Sequence, residues 1–417
     1  MPRRSWFALL AIVLVAFLLR LSIAIEYQGL SSPPDAEANP DQVDYEALGW
    51  RLSSGAGFTR ANGAPTAFRP PGTPVSIAAV YLVCGRDRAV VRVLFCLVSA
   101  LTCLGAGLLG ARLFGNLTGL VAAALLALLP NHAYYAQHML SEAPFALAIV
   151  LAALALARAR ERTAGLLFGI AFLTRPQSAL CLPLLGLLAC CGARGARRAA
   201  LVGFARQAAC FALVVLPWMA RNRIELGSWA PTTLSGQVFW GAHNPVVAAD
   251  PTRVGSWMPV EQLVDAAHPL PEGEVAATKA AWGYGLDFLR EHPGQIPRFL
   301  LWKIVRQYSA FQWTSNRLVY WTFALAWLVV GPLFLLGVAI AWRRSRASAL
   351  LLLVPMASTL VTGLLFYGAG RFRDADAGLY VVFAAVALCA LAPRSWSVWA
   401  GEPGAAAPGA SSPPGAG

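Results

Sequence analysis

Asp41 stands four residues before Tyr45 in Asn39-Pro40-Asp41-Gln42-Val43-Asp44-Tyr45, and Gly55-Ala56-Gly57-Phe58 and Arg69-Pro70-Pro71-Gly72-Thr73-Pro74 follow. The prolines after Arg69 restrict its backbone, so its guanidinium sits on a stiff loop and can grip a phosphate bidentately. The same side chain could instead snorkel to lipid headgroups. Asn39 can cap a helix whose first residue is Pro40. On that helix Asp41, Tyr45, Leu48 and Leu52 fall on one stripe, at spacings of four, three and four. Glu46 is expected nearly opposite and Asp44 on the flank, so the helix should present one acid, Asp41, to whatever it packs upon. The plainer reading of Asp41 is an acid in a first helical turn, stabilised by the helix dipole.

A second polar group lies in Pro130 to Glu142, where Glu142 opens an apolar run between Ser141 and Pro144. It too could be only a dipole-favoured acid. His132 and His138 share this loop, but two loop histidines without fixed geometry do not define a metal site and are expected at an interface. Arg175 in Thr174-Arg175-Pro176, and Arg371 and Arg373 near the last apolar run, carry the same choice between phosphate and headgroup as Arg69.

These residues have to be positioned by a membrane protein. Of 417 residues, 58% are hydrophobic and 13% charged, and the apolar runs exceed what one soluble core could bury. Ten crossings are expected, near Trp6 to Ile25, Val90 to Leu109, Leu117 to Leu129, Ala143 to Ala157, Thr163 to Leu173, Gln177 to Cys191, Ala200 to Trp218, Tyr320 to Trp342, Ala349 to Tyr367 and Gly378 to Ala392. The first reads as an uncleaved span, because Glu26-Tyr27-Gln28 follows it where a small-residue cleavage site would stand. Val75 to Val83 is too short to span and is expected at the interface or partly re-entrant.

The net charge of +13 does not indicate nucleic acid. Arg158, Arg160 and Arg162, then Arg194, Arg197 and Arg198, then Arg343, Arg344 and Arg346 occupy short connections, the positive-inside pattern. That places both termini in the cytoplasm and the nearly neutral segment from Arg221 to Arg317 on the outer face. The eight cysteines lie in or beside apolar runs without CxxC pairs and suggest neither a disulfide framework nor a zinc site. The chain divides into a transmembrane domain over 1–392, with a first outer loop at 26–89 and a large outer loop at 219–319, and a tail at 393–417. From Gly401 to Gly417 the tail is Gly, Ala, Pro and Ser with one acid, a composition that cannot build a core, and it is expected to be disordered. The spans look largely free of ionisable residues.

The ordered set of pieces resembles the GT-C class of membrane glycosyltransferases, specifically the bacterial relatives of the protein O-mannosyltransferases and of the lipid A aminoarabinose transferase. The matching pieces are Asp41 with Tyr45, Leu48 and Leu52, Gly55 to Phe58, Arg69 to Pro74, Ser141-Glu142, Thr174-Arg175-Pro176, Pro217-Trp218-Met219-Ala220-Arg221-Asn222, Gly241-Ala242-His243-Asn244-Pro245 and Arg371-Phe372-Arg373. Together they cover nearly the whole chain up to Ala392. The resemblance implies an all-α polytopic fold of about ten transmembrane helices, with outer-face loops carrying short amphipathic helices. It implies a bacterial cytoplasmic-membrane enzyme that transfers a sugar from a polyprenyl-phosphate-linked donor to an acceptor hydroxyl on a glycan, lipid or protein at the outer face. By resemblance Asp41 is the first-loop catalytic acid acting as general base and Glu142 the acid of the second outer loop. Tyr45, Arg69, Arg175, His243, Asn244 and Arg371 are the substrate-binding candidates.

The chemistry agrees with those roles, since an attacking hydroxyl needs a proton acceptor and a departing phosphate needs fixed cations. Arg69, Arg175 and Arg371 are preferred for that task in this order, because Arg371-Phe372-Arg373 runs into Asp374-Ala375-Asp376 where family members commonly carry a proline-containing segment. The lipid-linked sugar is a co-substrate, membrane lipids are partners, no metal ligands are assigned, and a divalent ion shared by Asp41, Glu142 and phosphate stays open. The alternatives are a polysaccharide ligase or polymerase, and a flippase or transporter of a lipid-linked sugar, which would place essential ionisable groups inside the spans.

Overall fold

The computed structural model describes residues 1–36, 39–191, 194–311 and 316–392; the tail expected to be disordered lies outside the described residues. Helices follow the apolar runs. They are α1 (Arg3–Ile23), α2 (Pro40–Ser53), α3 (Gly72–Cys84), α4 (Arg88–Phe114), α5 (Asn116–Leu128), α6 (Pro130–Ala136), α7 (Glu142–Ala157), α8 (Glu161–Thr174) and α9 (Cys181–Cys191). The second half holds α10 (Arg194–Leu226), α11 (Ser235–Ala242), α12 (Pro245–Ala249), α13 (Glu274–Glu291), α14 (Ile296–Tyr308), α15 (Arg317–Arg344), α16 (Arg346–Leu365), α17 (Gly370–Ala375) and α18 (Ala377–Leu391). Each of the ten expected spans coincides with one of these helices. Among the described residues five helices are long and apolar enough to cross a membrane by themselves, and α5 with α6, bent by 60°, would make a sixth.

The core is built around α18, whose residues 377–387 are all buried among α4, α5, α7 and α15. Two spans carry buried arginines that their composition did not suggest. Arg20 of α1 is fully buried and donates to the Ser99 hydroxyl at 2.7 Å and to the carbonyls of Leu126 at 3.0 Å and Ala127 at 3.1 Å. Leu126 lies four residues before Pro130, which has no N–H to close that helical bond. The guanidinium thus supplies the donors missing where α5 breaks into α6, a structural use of an intramembrane charge. Arg92 of α4 is equally buried and donates to the Leu30 carbonyl.

At the end of the bundle where α7 starts and α16 finishes, the long connections fold onto one another. Gly72 sits so close to Thr174 that an added Cβ would lie 2.8 Å from the Thr174 Cα, so only glycine lets the Arg69 loop press against the Arg175 corner. Arg221 of α10 donates to the Thr66 carbonyl at 2.7 Å and the Phe58 carbonyl at 2.8 Å, with its guanidinium 5.2 Å from the Trp218 ring. Glu274 of α13 accepts from Arg60 at 2.6 Å, the Ala67 amide at 3.0 Å and the Thr233 hydroxyl at 2.8 Å. These two residues staple the first loop to the large one. The short helix α17 is locked from behind: Arg373 pairs with Asp374 at 2.8 Å and lies 3.9 Å over the Trp327 ring, and Asn131 donates to Asp374 at 2.7 Å.

Candidate active site

Five elements bring the site together. The first turn of α2 offers Asp41 and Asp44, the proline-stiffened loop offers Arg69, the start of α7 offers Glu142, the α8 corner offers Arg175, and α17 offers Arg371. Arg371 spans the two acids of the resemblance, donating from Nη1 to Asp41 Oδ2 at 2.7 Å and from Nε to Glu142 Oε1. Arg69 Nη2 meets Asp41 Oδ1 at 2.8 Å and Asp44 Oδ2 at 2.9 Å. Arg175 reaches Glu142 Oε1 at 2.7 Å and the Ser141 hydroxyl at 3.0 Å, and its Nε donates to Gln177 at 2.9 Å. Three guanidinium groups face three carboxylates.

Of this cluster Asp41, Arg69, Arg175 and Arg371 line a cavity of about 200 Å³, walled besides by Tyr45, Pro70, Thr174, Val238, Phe366, Tyr367 and Phe372. Burial alone would push the Asp41 carboxyl up, but the charges of Arg371 and then Arg69 outweigh it and hold Asp41 at about 2. Burial opposes the charge on Arg371 as well, and the Glu142 and Asp41 carboxylates reverse that, so its ionised form is strongly favoured. An arriving phosphate would compete with the carboxylates for these arginines. As the guanidinium groups turn to phosphate, Asp41 loses the charges that depress it and becomes a stronger proton acceptor. Arg371 fills the space between Asp41 and Glu142 that a shared divalent ion would need, so the donor set as arranged does not fit one. Among the described residues no group of three His, Cys, Asp or Glu could hold a metal ion.

Six of the eight residues singled out from the sequence meet here: Asp41, Tyr45, Arg69, Glu142, Arg175 and Arg371. His243 and Asn244 do not. Asn244 caps α12 through the Val247 amide at 2.9 Å and donates to the carbonyls of Trp240 and Gly241. His243 donates from Nδ1 to the Phe239 carbonyl and accepts at Nε2 from Lys303, 2.7 Å away, while the Phe239 ring stands edge-on to Phe366 of the cavity wall. Glu46 is buried rather than exposed, held by Arg86 at 2.8 Å and Tyr81 at 3.0 Å. It belongs to a second stripe, Gln42, Glu46 and Gly49, because α2 is covered on two sides and not one. His132 and His138 are buried as well, not interfacial. Arg371, the least favoured of the three arginines on sequence grounds, is the one that joins both acids. Gln177 and Tyr367 were not singled out; only the proximity of Gln177 to Arg175 in sequence could have suggested the first.

Residues 68–220, which hold Arg69, Glu142 and Arg175, match the family model described as dolichyl-phosphate-mannose-protein mannosyltransferase. No curated protein matches the chain in sequence. Among solved structures, the archaeal oligosaccharyltransferase AglB from Archaeoglobus fulgidus, in complex with an inhibitory peptide and a dolichol-phosphate, superposes with a TM-score of 0.54 at 14% identity over 94% of this chain and 51% of that one. The Archaeoglobus fulgidus oligosaccharyltransferase in complex with Zn and sulfate gives 0.55 at 14% identity, over 92% of this chain and 49% of that one. ArnT from Cupriavidus metallidurans bound to undecaprenyl phosphate gives 0.44 at 14% identity, over 92% of this chain and 78% of that one. The chain spans about half the length of the archaeal enzymes. The GT-C resemblance read from the sequence is thus met by a family model over 68–220 and by the fold over most of the chain.

Proposed function

We propose that this chain is a multi-pass membrane glycosyltransferase that moves a sugar from a polyprenyl-phosphate-linked donor to an acceptor hydroxyl. Arg371, bridging Asp41 and Glu142 in a cavity shared with Arg69 and Arg175, is the observation that carries this reading. The cavity supplies fixed cations for a departing phosphate and a carboxylate for an arriving proton, the two needs of the reaction. The acceptor oxygen attacks the anomeric carbon, the bond from that carbon to the phosphate oxygen breaks, and the electron pair leaves with the phosphate. The hydroxyl proton passes to Asp41. Arg69, Arg175 and Arg371 bind the phosphate, Glu142 orients Arg175 and Arg371, and the Tyr45 ring supports Arg69, whose guanidinium lies 5.7 Å from it.

In this reading the protein sits in a bacterial cytoplasmic membrane with the site facing outward. The arginine clusters support that orientation, because α7, α9 and α15 lead away from the cavity toward them and α8, α10 and α16 return. The acceptor is a glycan, lipid or protein hydroxyl. The test uses purified protein in sealed vesicles, with polyprenyl-phosphate sugar in the bilayer and acceptor added outside only. Molecules with the large loop outside, identified by protease access, should transfer sugar. Asp41→Asn should reduce turnover by about a hundredfold or more while donor binding survives. Normal turnover in Asp41→Asn, or transfer only by molecules of the opposite orientation, would refute the assignment.

A further inference from the structure

The first turn of α2 divides space in two. On the far flank from the catalytic cluster lies a larger cavity, about 700 Å³, whose wall includes Asp44, Trp50, Arg51, Arg60 and Phe68. Arg69 alone lines both cavities; Asp41 belongs to the smaller and Asp44 to the larger. The guanidinium is held from both sides, by Asp41 at 2.8 Å and by Asp44 at 2.9 Å through Nη2 and 3.0 Å through Nε. Pro70 and Pro71 restrict the backbone behind it, which leaves side-chain torsions as its freedom of movement. Asp44 is 44% exposed against 24% for Asp41, so the contact with Asp44 is the weaker and more readily exchanged of the two.

We propose that Asp44 is a positioning residue that latches Arg69 across the passage between the two cavities, and that a polar, hydroxyl-bearing acceptor reaches Asp41 from the larger one. The proposal rests on the glycosyltransferase reading. Its logic is one of exchange: donor phosphate draws Arg69 off Asp44, so the passage opens only when a sugar is in place. The larger cavity's arginines are mostly neutralised, Arg60 by Glu274 and Arg86 by Glu46, which leaves a wall of hydrogen-bonding groups with two aromatic rings and little net charge. Such a wall suits a polyhydroxylated saccharide better than an anion or an alkyl chain. With the latch released, water can stand in for the acceptor: its oxygen attacks the anomeric carbon, the phosphate leaves with the electron pair, and the proton goes to Asp41.

The experiment places a cysteine at Ser141, on the wall of the smaller cavity, and follows its labelling by a charged, membrane-impermeant methanethiosulfonate against the parent protein. Water-driven loss of donor sugar is measured in parallel, without acceptor. Without donor, Asp44→Asn should raise labelling several-fold and Asp44→Glu should keep it near the parent value, whereas the water-driven loss, which occurs only with donor bound and the latch released, should be alike in all three. Adding Ala47→Trp, which puts an indole into the larger cavity one helical turn from Asp44, should cancel the increase. Parental labelling in Asp44→Asn, or an increase that survives Ala47→Trp, would overturn the latch. If labelling behaves as expected while no variant and not even the parent releases or transfers sugar, the latch stands and the glycosyltransferase reading falls.

Discussion

Arg371 reaches its two carboxylates through separate nitrogens, Nη1 for Asp41 and Nε for Glu142, whereas Nη2 of Arg69 meets both of its own. A lysine offers one compact ammonium, which cannot reach Asp41 and Glu142 together. Arg371→Lys should therefore lower turnover on the order of a hundredfold, as expected for removing a fixed donor aimed at developing charge. Arg69→Lys should lose less, because one nitrogen, Nη2, already meets both Asp41 and Asp44, and a single cation can stay near both. Turnover of the two variants, measured with donor saturating, decides the order; an equal or larger loss in Arg69→Lys would contradict it. Acids and arginines were legible in the sequence because a charge beside an apolar run is conspicuous. Their pairing was not, since Asp41 and Arg371 are 330 residues apart. His243 illustrates the opposite failure: a polar residue within a recognisable motif whose bonds serve the packing of α11 on α14.

That packing makes a prediction at the scale of elements. Lys303 of α14 is fully enclosed, donating to His243 and to the Leu364 carbonyl at 2.9 Å. Burial pulls Lys303 down from 10.5 to about 7. Between those values the unfolded chain holds a proton that the folded chain lacks, so stability contributed here rises with pH through that window and is lowest below 7. Relative to Lys303→Met, the parent should gain up to about 2 kcal/mol between pH 7 and pH 9. Thermal unfolding in detergent at the two pH values checks this, and a gap that narrows or reverses sign relative to that expectation excludes a neutral Lys303. Helix positions were legible because apolar runs of that length have few other solutions. What stayed hidden were the relations between helices: the Arg20 guanidinium that repairs the break at Pro130, and the second buried stripe of α2. A single-helix periodicity argument assumes one covered face, and α2 has two.

At the scale of the whole molecule the arginine clusters at the connections of α7 with α8, α9 with α10 and α15 with α16 lie at one end of the bundle and the arginine-lined cavity at the other. The stapling of the two long loops could not be read, because Arg221 bonds to backbone carbonyls, which every sequence has. That staple joins the first loop to an unusually long rod. The 33 residues of α10 extend about 50 Å, whereas the hydrocarbon layer is about 30 Å thick. Such a helix must lean or stand clear of the lipid, and the mismatch shifts with acyl-chain length. Because Arg221, beyond the internal Pro217, holds the carbonyls of Phe58 and Thr66, a tilt that bilayer thickness imposes on α10 would reach the loop that carries Arg69. Turnover in vesicles of graded acyl-chain length should therefore vary, and Arg221→Gln, which unhooks the rod, should flatten the dependence. If the slope is the same in both proteins, the rod carries no such signal.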